Sequence, residues 1–360
     1  MALVFTVLLV ALIFEYINGF HDTANSIATV VSTKVLTPRQ AVVLAAATNL
    51  LGAMWGTAVA KTITSGLVDV KVVTMTSNVI VCALIGAIVW NLITWWFGLP
   101  SSSSHALIGG LCGSAMAASH NNWNSIIWSQ PSKEHWWLGK GLLWKVIVPM
   151  FTSPLAGFVL GFAIMAALYL LLHNRRPKRV NRFFANAQIF SAAGMGFMHG
   201  TNDAQKTMGI IALTLMGATA AGHFQHLPPW LAFLHTPTPP SGKDLEIAFW
   251  IKIVCALTMA AGTAVGGWRI IKTLGHKMVK LHPINGFAAE ASSATVIFIA
   301  THLGIPVSTT HNISAAIMGV GCAKRFNAIK WSVVERMVWA WLLTIPVSAL
   351  IAYVLVRLTR

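Results

Sequence analysis

The sequence predicts an all-α polytopic membrane protein: two inverted repeats with broken helices and helical hairpins, in about 10 membrane segments. Three observations carry that prediction. Apolar runs reach bilayer length, a pair of motifs occurs twice in the same order, and basic residues gather at the ends of the runs.

Hydrophobic residues make up 56% of the 360-residue chain and charged residues 9%, against about 25% charged in a soluble domain. Met1–Ile17, Ala41–Ala60, Val72–Phe97, Val146–Leu172, Ile247–Trp268 and Val333–Val356 match the roughly 20 residues with which a helix crosses a bilayer. None alternates with a period of two, so helices are the spanning element. Glu15, followed at once by a polar Gly-rich motif, marks the first run as a retained helix and not a cleaved leader. The net charge of +16 does not signal nucleic acid, because the basic residues sit at run ends, as in Arg175, Arg176, Lys178, Arg179 and Arg182. Cys82, Cys112, Cys255 and Cys322 fall in apolar segments without CxxC spacing and read as packing residues.

The chain repeats itself. Gly98-Leu-Pro-Ser-Ser-Ser-Ser-His105 is answered by Gly304-Ile-Pro-Val-Ser-Thr-Thr-His311, and Gly19-Phe-His-Asp22 by Gly200-Thr-Asn-Asp203. This gives a first repeat over 1–174, a basic cytoplasmic linker over 175–185, and a second repeat over 186–360. The stretch 222–246 is an outer loop that the first half lacks. If the N-terminus is outside, a first broken helix ends inward at Lys34 and Arg39. The inner loops then hold 15 Lys and Arg and the outer ones 9, as the positive-inside bias requires. Under that scheme the C-terminus is also outside. The hairpin 72–118 enters from outside and 283–322 from inside, so the halves are inverted. Secondary transporters share this architecture and bind substrate near the midplane between repeats.

Asp22 and Asp203 are acids inside apolar segments, at the same place in each repeat. Carboxylates there are expensive and mark cavities with a function; the alternative is a polar pair that glues helices together. Ser101–Ser104 and Ser308–Thr310 follow a Pro and precede helices that start near His105 and His311. Hydroxyls at a helix N-terminus either cap it or, with the free N–H groups, form an anion site. Two such ends meeting at mid-depth would grip a tetrahedral oxyanion, with the acids neutralised by Na⁺ or protons. Lys206 stands where Asn25 stands in the first repeat, able to pair with Asp203 or to contact the anion. His21, His105, His199 and His311 either relay protons or bond backbone carbonyls. Glu290 is a cation ligand or an interhelical hydrogen-bond partner. Trp95, Trp96, Trp136, Trp137, Trp144 and Trp341 read as interfacial anchors, and His223, His226 and His235 as loop residues with nonspecific metal-like spacing. An intramembrane aspartyl protease is disfavoured, because Gly-x-Gly-Asp is absent and the Ser/Thr hairpins would have no role.

At these motifs the chain resembles the inorganic phosphate transporter (PiT) family in its bacterial form. Gly19-Phe-His-Asp-Thr-Ala-Asn25 is similar to the family's first signature, Gly200-Thr-Asn-Asp-Ala-Gln-Lys206 to its second, and the two Ser/Thr runs to its hairpin motifs. The resemblance covers about residues 15 to 340. It implies phosphate import by cation symport across the inner membrane of a bacterium, with homodimers, no enzymatic activity, no cofactor and no resident metal. Carried over, Asp22, Asn25, Ser102, Ser103, Ser104, Asn202, Asp203, Lys206, Ser308, Thr309 and Thr310 line the phosphate site. Asp22, Asp203, Glu290 and His21 serve the coupling ion. Sodium-coupled relatives have Asn where this chain has His21 and Lys206. That departure is similar to proton-coupled members, which carry phosphate as a neutral complex with a divalent metal. Glu290 points toward sodium, so Na⁺-coupled phosphate or sulfate transport is the alternative.

Overall fold

The computed structural model describes residues 2–69, 72–131, 139–225, 228–237 and 246–359. Trp136, Trp137 and His226 lie outside them. The described residues form α-helices without a strand. They are α1 (Ala2–Ser32), α2 (Pro38–Ala53), α3 (Ala58–Ser65), α4 (Ser77–Phe97), α5 (Ser103–Ala118), α6 (Val148–Leu172), α7 (Pro177–Ala220), α8 (Phe249–Val265), α9 (Trp268–Lys272), α10 (Pro283–His302), α11 (Thr309–Lys324) and α12 (Trp331–Leu358). Among the described residues, five helices are long and apolar enough to cross a membrane: α1, α4, α6 with its preceding turn, α10 and α12. The number is seven if each bent pair, α2–α3 at 71° and α8–α9 at 57°, counts as one span. The chain is an integral membrane protein, and its surface agrees: Phe151, Leu155, Leu170 and Phe190 are among its exposed large apolar side chains. Most of the basic segment 175–185 forms the first turns of α7.

The first helix, expected to be broken on its way to Lys34 and Arg39, is continuous. The Gly19 and Gly200 motifs lie inside continuous helices of 31 and 44 residues, and the bends fall at 54–57 and at Gly266–Gly267. The motif glycines serve packing. A Cβ on Gly19 would come within 2.4 Å of Met259 O on α8, and one on Gly200 within 2.3 Å of Asn49 O on α2. Left-handed backbone is used instead at Gly98 (φ 64°) and Gly304 (φ 62°), where α4 and α10 end and the chain turns back. Ser102 and Ser308 then restart the chain as helix, each accepting a hydrogen bond from the N–H of the histidine three residues on, at 3.1 Å.

Contacts between the halves come in matching pairs. α1 packs on α8 as α2 does on α7, and α5 packs on α12 as α11 does on α6. The element ends sort into two groups. Asn78 donates to Thr359 and Tyr353 to Asn121, so both ends of the α4–α5 hairpin lie beside the end of α12. Lys330 N donates to Met278 O and Thr33 to Gln188, gathering the ends of the α10–α11 hairpin with the end of α1 and the start of α7. The interior divides into two large apolar clusters, one around Phe14, Leu107 and Met208 and one around Ile27, Met195 and Ile317. The polar site lies on α1 and α7 between these segments.

Candidate functional site

Steps of three and four residues place Asp22, Asn25 and Thr29 on one face of α1, and α7 brings His199, Asp203 and Lys206 by the same spacing. All six are buried. Asp203 Oδ1 accepts a hydrogen bond from Lys206, whose ammonium also donates to Ser104. His199 Nε2 lies 3.0 Å from Asp203 Oδ2, and its Nδ1 faces Asn49 Oδ1 at 3.1 Å. On α1, His21 Nδ1 is 2.7 Å from Asp22 Oδ1, while Nε2 reaches Thr94 at 3.1 Å and Ser101 at 3.5 Å. Each acid therefore has its own histidine.

The two hairpins close over these helices. Thr309 Oγ1 donates to Asp203 Oδ2 at 3.0 Å and accepts from Asn25 Nδ2 at 3.1 Å, so one hydroxyl joins an α1 residue to the α7 acid. Thr310 accepts from Asn25 at 2.9 Å and donates to Asp22 Oδ1 at 3.3 Å. Ser104 Oγ donates to Val307 O at 3.4 Å, and the His105 and His311 rings meet edge to face at 4.9 Å. Among the described residues, two carboxylates, those of Asp22 and Asp203, come together here with the Lys206 ammonium against Asp203, hydroxyls and two helix N-termini. Such a set holds an anion and a cation together better than either alone.

Of the residues singled out in the sequence, Asp22, Asn25, Ser104, Asp203, Lys206, Thr309, Thr310 and His21 converge. Ser102 and Ser308 use their oxygens as helix caps, and Ser103, between Ser102 and Ser104, has a buried hydroxyl with no partner among the described residues. Asn202 turns to α10, donating to Thr301 at 2.8 Å and Ile305 O at 3.3 Å. Glu290 stands apart: Thr29 and Ser191 donate to it, as does Gln188 at 3.2 Å. Gln188 and Ser191 precede Asp203 on α7 by three to four turns. Trp341 is no interfacial anchor. Its ring stacks on His311 at 4.2 Å and its N–H donates to Pro100 O, so it backs the hairpin tips. Trp96, exposed and covered by the Arg269 guanidinium at 4.3 Å, keeps an anchor's surroundings. Cys82, Cys112 and Cys255 are buried, as packing residues are.

Two residues carry more than the sequence reading gave them. His199, four residues before Asp203, joins Asp22 and Asp203 in a group whose possible ligand atoms all lie within 4.8 Å of one another. Its spacing from Asp203 was the available signal. Glu15 is fully buried on α1, and Thr207 Oγ1 donates to its Oε2 at 2.5 Å; its place seven residues before Asp22 was the signal there.

The family model described as "phosphate transporter family" matches residues 18–352. A Bacillus subtilis protein named "probable low-affinity inorganic phosphate transporter" is 44% identical over 96% of this chain and 95% of its own length. A Rhizobium meliloti protein of the same name is 43% identical over 95% of this chain and 92% of its own. A solved structure titled "The sodium-dependent phosphate transporter" is similar with a TM-score of 0.81 at 24% identity, over 100% of this chain and 99% of that one; it shares the fold.

Proposed function

The chain belongs to the phosphate transporter family, and on that premise we propose that it imports inorganic phosphate by proton symport, the anion travelling with a divalent metal. The observation that carries this reading is the Thr309 hydroxyl, bonded at once to Asn25 and to Asp203. It supports one pocket built from both halves, in which Asn25, Ser103, Ser104, Lys206, Thr309 and Thr310 bind the phosphate oxygens. Asn202, adjacent to Asp203 and with a buried Oδ1 that has no hydrogen-bond partner among the described residues, remains a phosphate-site candidate although its amide donates to Thr301 and Ile305 O.

Charge supports the metal. With both imidazoles neutral, two carboxylates against one ammonium leave the site negative, and a bare phosphate dianion entering it would meet repulsion in a buried place. Cargo metal lying between Asp22, Asp203 and His199 would cancel that charge, and a carboxylate and imidazole set suits a divalent ion. The alternative of sodium held by Glu290 loses support, because three donors already occupy that carboxylate. The halves act as inverted repeats in the inner membrane of a bacterium, with both termini outside and two copies forming a dimer.

Proteoliposomes test the reading. An inward proton gradient is expected to drive accumulation of labelled phosphate, faster with Mg²⁺ present and unaffected by excess sulfate. A sodium gradient alone should give none. Asp22→Asn and Asp203→Asn should abolish accumulation while the protein still inserts. Uptake no greater than in empty vesicles under the proton gradient would sink the assignment of the coupling ion.

A further inference from the structure

Positions 15, 18, 22, 25 and 29 of α1 are Glu, Asn, Asp, Asn and Thr, all buried. Their spacing puts them on one helix face, so a polar stripe runs along α1 through the site. Asp22 is its centre. Glu15 lies about 10 Å to one side at a rise of 1.5 Å per residue. Thr29, which donates to Glu290, lies equally far on the other.

Glu290 has both oxygens engaged, by Thr29, Gln188 and Ser191. Glu15 does not. Thr207 holds its Oε2, while Oε1 accepts no well-aligned hydrogen bond, with the Asn18 amide as a neighbour. The charged groups within electrostatic reach are Asp203 and Lys206 on α7, and Cys255 is the titratable neighbour on α8. α4, which also packs on α1, carries no charged or histidine residue. Ala11, Phe14, Met208 and Met259 belong to the surrounding apolar cluster. A carboxylate with a bare oxygen is costly in such a place, and a neutral acid is not. Thr207 follows Lys206 directly. A movement of α7 that carries Lys206 onto an anion therefore also moves the hydroxyl that holds Glu15.

We propose that Glu15 is the residue that binds the coupled proton, taking it up from outside as the site loads and releasing it inside as the site empties. This inference rests on the proton-symport reading. In proteoliposomes a gradient of about one pH unit gives about tenfold accumulation per coupled proton. Glu15→Gln, which mimics the protonated acid, should still exchange labelled for unlabelled phosphate without a gradient, yet accumulate none when the gradient is imposed. Accumulation by Glu15→Gln equal to that of the unaltered chain would overturn the proposal, and so would loss of exchange along with accumulation. Thr207→Val gives a second measurement should Glu15→Gln fail to insert. It should shift the pH profile of uptake, and an unshifted profile counts against Glu15. If the unaltered chain ignores the proton gradient and follows sodium, the symport reading itself fails, a result distinct from any behaviour of the Glu15 variant.

Discussion

Lys206 is the residue on which the site's electrostatics turn, because it is buried against Asp203 and Ser104. Removing it leaves Asp203 an uncompensated buried charge, a change that costs about 3–5 kcal/mol. Lys206→Met is therefore expected to lower the unfolding temperature in detergent markedly. Adding Asp203→Asn should restore most of that loss while phosphate uptake stays absent, and a double variant no more stable than the single would refute the pairing. Thr309 offers a gentler change. Thr309→Val deletes one donated and one accepted hydrogen bond, a loss of about 1.5–3 kcal/mol when a charged group is involved. The concentration of phosphate for half-maximal uptake should rise about tenfold or more, and Thr309→Ser should restore it. These residues were legible in the sequence because they occur twice: Asp22 has Asp203, and Ser104 has Thr310. Glu15 was not, since Gly196 stands at its place in the second half and duplication had nothing to show. The hydroxyls of Ser102 and Ser103 looked alike in the sequence. Only the path of the backbone after Gly98 turns one into a cap and leaves the other without a partner.

At the scale of elements, glycine was the ambiguous letter. Gly19 and Gly200 sit in helix interiors although glycine is the weakest helix former after proline. What decides between a break and a close contact is the neighbouring helix, which the sequence does not place. Gly19 meets α8 and Gly262 meets α1, each where an added Cβ would come within 2.4 Å and 2.1 Å of a backbone carbonyl. Gly19→Ala should force α1 and α8 apart and cost about 1–3 kcal/mol, read as a fall in unfolding temperature together with slower uptake. Gly194 is the internal control. A Cβ there meets nothing within 4 Å, so Gly194→Ala in the helix interior should stabilise by about 0.5–1 kcal/mol. Equal effects from the two substitutions would show that helix propensity, not close packing, is what these glycines govern. The hairpins were easier to foresee. Pro followed by Ser or Thr and then a small-residue run gives a turn, a cap and a helix, and α5 and α11 begin within two residues of the histidines that marked them.

For the whole molecule, opposite entry of the two hairpins follows in the sequence from the order of the spans, and the Lys and Arg count, a sum over loops in which no single residue decides, chooses the orientation. The contacts between element ends bear on the same question independently. Asn121, at the end of α5, bonds Tyr353 near the end of α12, and Asn78, at the start of α4, bonds Thr359. Met278, just before α10, bonds Lys330, just before α12, and a cavity of about 270 Å³ there is lined by Lys280, Lys324 and Arg325. α12 is 28 residues long, about 42 Å at 1.5 Å per residue, which matches a bilayer with its headgroups. If α12 spans the bilayer, residues beside its two ends lie at opposite faces, and under the proposed orientation the basic one is the face that stays inside. Asn124 and Asn327 are both exposed and lie beyond α5 and α11. With Cys322 replaced by Ala, since it alone among the four cysteines is only partly buried, Asn124→Cys should react with a membrane-impermeant maleimide in intact cells. Asn327→Cys should react only after the membrane is permeabilised. Both reacting from one side would mean that the hairpins enter together. A pocket reached from opposite faces in turn would then have no structural basis, whatever the residues at its centre.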